Sequence, residues 1–126
     1  MAKIKSPQDV YSLIKGEFVG KDVEQCYIIT LSGQKVKSIH FISMGSEKSC
    51  MFPVKVIARH AIMDLATGIV VIHNHPSGDV NPSAADIQET QNLRNALKVF
   101  DTEIIDHVIL GDDSFFSFAE NQEFKI

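Results

Sequence analysis

Tryptophan is absent from this 126-residue chain, and cysteine, proline and glycine are sparse, at two, four and seven residues. Cys26 and Cys50 stand in no Cys-x-x-Cys spacing, which leaves no redox or thiolate-metal motif and reads as free thiols of a reducing compartment. Positive charge is also in short supply. The formal net charge is −4, the sequence pI is about 5.7, and no two lysines or arginines are adjacent. That balance lacks the excess by which phosphate backbones hold a protein through counterion release, and no aromatic-basic stripe is present. No apolar run approaches the roughly 18 residues of a membrane span, and the start, Met-Ala-Lys-Ile-Lys-Ser-Pro, has no signal core. The expectation is a cytoplasmic domain bound neither to nucleic acid nor to a membrane.

What is present suits one compact domain over residues 1–126: 44% of the residues are hydrophobic, with no linker, repeat or low-complexity tract. Ser6-Pro7-Gln8-Asp9 predicts a helix start, with Ser as N-cap, Pro at the first helical position and an acid at N3, running to Lys15 and stopping at Gly16. Val23 to Leu31 and Lys35 to Met44 read as two strands joined by Ser32-Gly33-Gln34. Pro53 opens a second helix with Val54, Ile57, Ala61 and Leu65 at helical spacing, ended by Gly68. Ile69 to Ile72 is β-branched and unalternated, as a strand buried on both faces should be. Ser83 to Phe100 predicts a third helix with Leu93, Ala96, Leu97 and Phe100 on one stripe. Glu103 to Leu110 and Ser114 to Phe118 close the chain as strands around Gly111-Asp112-Asp113. The order α-β-β-α-β-α-β-β predicts an α/β fold: an α-β-α sandwich with a mixed central sheet.

The chemistry concentrates in His73-Asn-His75-Pro-Ser-Gly-Asp-Val-Asn-Pro-Ser83-Ala-Ala-Asp86. Histidines at i and i+2 of a strand end face the same side. A Pro/Gly/Asn loop then turns the chain back, so that Asp86 arrives in the first turn of the next helix. His73, His75 and Asp86 can therefore converge on one divalent ion, and three protein ligands with one vacancy is the pattern of a catalytic zinc. Each part has a plainer reading. A His-x-His pair alone is weak, and Ser83-x-x-Asp86 matches the capping arrangement of Ser6-x-x-Asp9. His40 and His60 read as surface or packing residues. His107 reads as a satisfied core histidine, with a place behind a ligand as the alternative, and Asp79 as a turn residue that could orient a histidine.

At these residues the chain resembles the JAMM signature of the JAB/MPN metalloprotease superfamily, whose architecture is cytidine-deaminase-like. The string His-Asn-His-Pro-Ser-Gly-Asp followed by Pro-Ser-x-x-Asp-Ile is similar to its RadC-like branch. Asp106-His107-Val-Ile-Leu-Gly111, the closing Phe-Ser117-Phe and the lead-in Ser6-Pro7-Gln8-Asp9-Val10-Tyr11 extend the likeness over nearly the whole chain. The resemblance implies zinc on His73, His75 and Asp86, Glu24 as general base, and Ser83 as hydrogen-bond donor to the oxyanion. Only the resemblance selects Glu24 over Glu17 or Glu47. Where relatives usually carry Arg-Glu and His-Phe, this chain has Val54-Lys55 and Gln25-Cys26.

The implied reaction is zinc-dependent hydrolysis of a peptide or isopeptide amide in a peptide or protein substrate. Two other classes stand beside it: a non-catalytic metal-binding interaction module, and a metal-dependent nuclease, which commonly needs a second metal. The residues before Val23 are too few for the helix-hairpin-helix domain that relatives often carry. The family's DNA-repair label finds no physical support in an acidic chain. A homodimer through sheet edges is open, and no sequence feature demands it.

Overall fold

A computed structural model describes residues 2–18, 22–44 and 52–121. Cys50 and Glu47 lie outside the described residues. The elements are α1 (Pro7–Ile14), β1 (Gln25–Ser32), β2 (Lys35–Met44), α2 (Val54–Met63), β3 (Gly68–Asn74), α3 (Ala84–Lys98), β4 (Glu103–Leu110) and β5 (Phe115–Ser117). This is the expected order, with a 3-10 turn, Lys15–Glu17, added after α1. The first helix therefore tightens through Gly16 instead of stopping there.

One five-stranded sheet runs β2-β1-β3-β4-β5. β1 pairs antiparallel with both β2 and β3, and β4 pairs antiparallel with β5. β3 and β4 are parallel, joined through α3. The sheet is mixed, as expected. A βαβ crossover brings the carboxyl ends of β3 and β4 to one rim, the place where such sheets gather ligands.

Both faces of the sheet are covered. On one side Cys26, Ile28, Ile69 and Val71 pack with Ile57 and Ala61 of α2 and Leu93 and Leu97 of α3. On the other, Tyr27, Ile29, Val70, Ile72 and Val108 pack with Val10 and Ile14 of α1. β3 lies between the two, and all seven of its residues are buried. Its unbroken apolar run follows from that position, because neither face meets water. Truncating Ile69 or Ile72 to Ala costs about 2–5 kcal/mol.

Three expectations at helix ends need correction. α2 stops at Met63, and Leu65 is exposed, with φ +52. The Leu65 N–H donates to Ile62 O and the Ala66 N–H to Ala61 O, which is a Schellman closure with leucine where glycine is usual. α3 ends the same way. The Asp101 N–H donates to Lys98 O and the Thr102 N–H to Leu97 O, Asp101 takes φ +54, and Phe100 leaves the core stripe. Gly68 does not end α2; it begins β3, where a Cβ would lie 2.8 Å from Ile105 Cγ1. Close packing of two strands, not helix termination, calls for that glycine.

Candidate metal centre

β3 delivers His73 at its carboxyl end, and His75 follows one residue beyond it. Their Nε2 atoms lie 3.0 Å apart, the same-side placement that period two requires. Pro76 to Pro82 then carries the chain to α3, whose N-cap is Ser83. The Ser83 hydroxyl accepts from the Asp86 N–H at 3.0 Å, and Asp86 Oδ2 accepts from the Ser83 N–H at 2.9 Å. The capping reading of Ser83 and Asp86 is thus realised in full. The same contact aims Asp86 into the cleft. Its Oδ1 lies 3.5 Å from His73 Nε2, and its Oδ2 lies 3.2 Å from His75 Nε2.

Glu24 arrives from the opposite side. The strand expected from Val23 begins only at Gln25, because the Asn74 side chain takes over where the β1–β3 ladder ends. Asn74 Oδ1 accepts from the Gln25 N–H at 2.7 Å, and its amide donates to Val23 O at 3.2 Å. Buried Asn74 therefore grips the backbone on both sides of Glu24. That grip leaves Glu24 Oε1 3.9 Å from His75 Nε2. Asn74 belongs to no ligand pattern in the sequence. Its position inside His-Asn-His, facing away from both imidazoles, was the available signal. Glu24, His73 and His75 each offer a ligand atom within 4.8 Å of the others, so they can hold a metal ion.

The surroundings set the charge of these groups in the metal-free protein. Burial pushes the Asp86 carboxyl up, but the neighbouring imidazoles of His73 and His75 outweigh it and hold Asp86 well below the usual carboxylate range. His75 is raised by its bond to Asp86, against a lowering from burial and with help from the Asp79 carbonyl. Asp79 does orient a histidine, though through its backbone: His75 Nδ1 donates to Asp79 O at 2.7 Å. Its carboxylate accepts from the Asn81 backbone and side chain, as a turn residue's does. Burial also raises the Glu89 carboxyl, with the Asp86 charge adding to it. Glu89 was not singled out from the sequence.

His107 is fully buried, with its ring stacked on Phe118 at 4.3 Å. Burial holds its pKa well below the ordinary histidine value. Its Nε2 lies 2.7 Å from His73 Nδ1, so it stands directly behind a candidate ligand. Asp106 beside it is structural. It accepts from the His107 and Ala119 backbone N–H groups and from the Ser117 hydroxyl, tying β4 to β5 and the turn after it.

A family model for the RadC-like JAB domain matches residues 4–123. The chain belongs to that family. A UPF0758 protein of Chlorobaculum tepidum is 35% identical over 120 residues, covering 94% of this chain and 54% of its own length. A UPF0758 protein of Desulfitobacterium hafniense is 36% identical over 118 residues, covering 93% and 52%. The chain thus spans about half the length of these relatives. The RadC-like assignment agrees with the mixed sheet, the helices on both faces and the histidines at the β3 rim. No helix among the described residues is long and apolar enough to cross a membrane.

Proposed function

We propose that this RadC-like domain is a zinc-dependent hydrolase acting on peptide or isopeptide amides. The observation that carries the reading is the spacing of four side chains. A tetrahedral zinc with bonds of about 2.0–2.1 Å needs donors about 3.3 Å apart. The His73 and His75 Nε2 atoms lie 3.0 Å apart, Asp86 Oδ2 lies 3.2 Å from His75 Nε2, and the other carboxylate oxygen, Oδ1, lies 3.5 Å from His73 Nε2. Glu24, at 3.9 Å from His75, stands just outside that set. His73, His75 and Asp86 fit as ligands, and Glu24 fits as the carboxylate beside the open position. Two imidazoles and one carboxylate suit zinc among the divalent ions.

Bound there, zinc would lower the pKa of a water and polarise a scissile carbonyl. The protein's own part is positioning and proton handling. Glu24, pinned through Asn74, takes a proton from the attacking water and returns it to the leaving amine. The Ser83 oxygen accepts from the Asp86 N–H, so its own proton is free to stabilise an oxyanion; capping and catalysis can share one hydroxyl. His75 keeps its Nδ1 proton on Asp79 O and offers Nε2 to the cleft. A cleft of about 210 Å³, lined by Asp22, Val23, Glu24, His75, Pro76 and Ser77, opens beside it.

Metal content per chain, on untagged protein purified without chelator, tests the site. We expect about one zinc in the wild type and none in His75→Ala. Glu24→Gln should keep the metal and lose amide hydrolysis by about 10²–10⁴-fold. A wild type that neither carries nor takes up zinc would overturn the reading. Zinc retention with no hydrolysis of any peptide or isopeptide would leave a metal-binding module.

A further inference from the structure

Behind the cleft, four groups from three elements form a closed circuit. Thr90 Oγ1 donates to the Asp86 backbone carbonyl at 2.7 Å. It also lies 2.7 Å from His107 Nδ1, and His107 Nε2 lies 2.7 Å from His73 Nδ1. His73 and the Asp86 carboxylate then meet across the cleft at 3.5 Å.

The direction of each bond follows from what each atom can do. A carbonyl oxygen only accepts, so the single Thr90 hydroxyl proton goes to Asp86 O. Toward His107 the Thr90 oxygen must accept, which puts a proton on His107 Nδ1. His107 is walled by the rings of Phe52 and Phe118 and has no exposed surface, so it is neutral and its Nε2 carries a lone pair. His73 Nδ1 must then donate. Its Nε2 is left as the atom that faces His75 and Asp86.

We infer that His107, held by Thr90, is a positioning residue that fixes His73 in the tautomer able to ligate zinc through Nε2. The inference rests on the zinc reading of the site. It adds that ligand competence is written into the core before any metal arrives. The same circuit joins the strand that supplies His73 to the helix that supplies Asp86, so one hydroxyl governs the orientation of two ligands. Contacts of this kind behind a ligand typically change metal affinity by about 10–100-fold.

Nitrogen-15 NMR of the histidine rings in metal-free protein, beside zinc affinity from competition with a chromophoric chelator, tests it. The wild type should show His73 protonated at Nδ1. His107→Phe keeps the volume and removes the acceptor. It should lose the single His73 tautomer and bind zinc about 10–100-fold more weakly. His107→Gln retains an acceptor toward His73 and a donor toward Thr90, and should restore both readouts to within a few-fold of wild type. Should His107→Phe fail to fold, Thr90→Val carries the same test, with a loosened His107 tautomer and weaker zinc binding expected.

A wild-type His73 protonated only at Nε2 would overturn the inference, as would full zinc affinity with an unchanged tautomer in His107→Phe or, where that variant does not fold, in Thr90→Val. Failure of the wild type to bind zinc would overturn the zinc reading instead. The tautomer would still be decided by the metal-free spectra.

Discussion

Among the described residues two clusters pair histidines with an aspartate, and they are arranged oppositely. At the β3 rim, His73 and His75 turn their Nε2 atoms toward each other and toward Asp86, with each Nδ1 occupied from behind. Between β2 and α2, His40 and His60 lie face to face at 4.0 Å between ring centroids. There Asp64 Oδ2 meets His40 Nε2 at 2.8 Å and accepts from the Thr30 hydroxyl at 2.7 Å. Stacked rings share a face and send their nitrogens outward, so they cannot close on one ion. Each cluster pairs two histidines with an aspartate; convergence separates a site from a staple.

The comparison breaks most directly with metal content. His75→Ala should abolish zinc uptake, whereas His40→Ala should leave stoichiometry at the wild-type value, checked by mass spectrometry on both variants. Zinc loss in His40→Ala would place the two clusters in one system.

The next effect is structural. A Cβ on Gly111 would lie 2.7 Å from Gly78 O and 2.8 Å from Val80 Cγ1. Gly111 thus lets the β4–β5 turn press against the loop that holds His75. Gly111→Ala should cost about 1–3 kcal/mol in denaturant unfolding and weaken zinc binding with it. No glycine stands in the His40 cluster.

Ser83→Ala sharpens the comparison on a smaller scale. Loss of the cap should lower stability by about 1 kcal/mol. A fall in kcat beyond what that loss explains would assign the hydroxyl to the oxyanion as well.

The smallest effect belongs to the staple. Burial raises the Asp64 carboxyl, but the bonds from His40 and Thr30 more than offset this and leave it below its ordinary value. A depressed carboxylate contributes stability above its unfolded pKa of about 3.9 and loses it as pH falls through the folded value. Asp64→Asn should therefore be less stable than wild type by up to about 1 kcal/mol at neutral pH. The gap should close in acid, as read from urea midpoints across pH.

Much of this was legible because it is periodic or local. Alternation put His73 and His75 on one side, and the unbroken run of β3 announced burial on both faces. The Ser83–Asp86 spacing announced the helix start that presents the carboxylate. What was illegible is what only the closed sheet creates. Leu65 and Asp101 take left-handed conformations without a glycine to mark them, because packing of the following strand imposes the turn. Asn74 reaches back across the sheet to the residues around Glu24, and nothing near either residue in the chain shows it. For His107 the sequence left a core residue and a place behind a ligand both open, and the pairing of β4 with β3 decides it by setting His107 behind His73.

β1 and β3 pair with Cys26 opposite His73, far apart along the chain. His73, His75 and Asp86 come from one stretch of chain, but His73 is oriented by β4 through His107, and Glu24 comes from the residue before β1. The complete centre therefore exists only when the middle of the sheet has formed, and an ion held by it favours the folded chain. Ligation would then raise the free energy of global opening, by about 2.7 kcal/mol at a hundredfold excess over Kd. The slowest-exchanging amides of β3 should slow further by the matching factor of about 100, while frayed ends exchange as before.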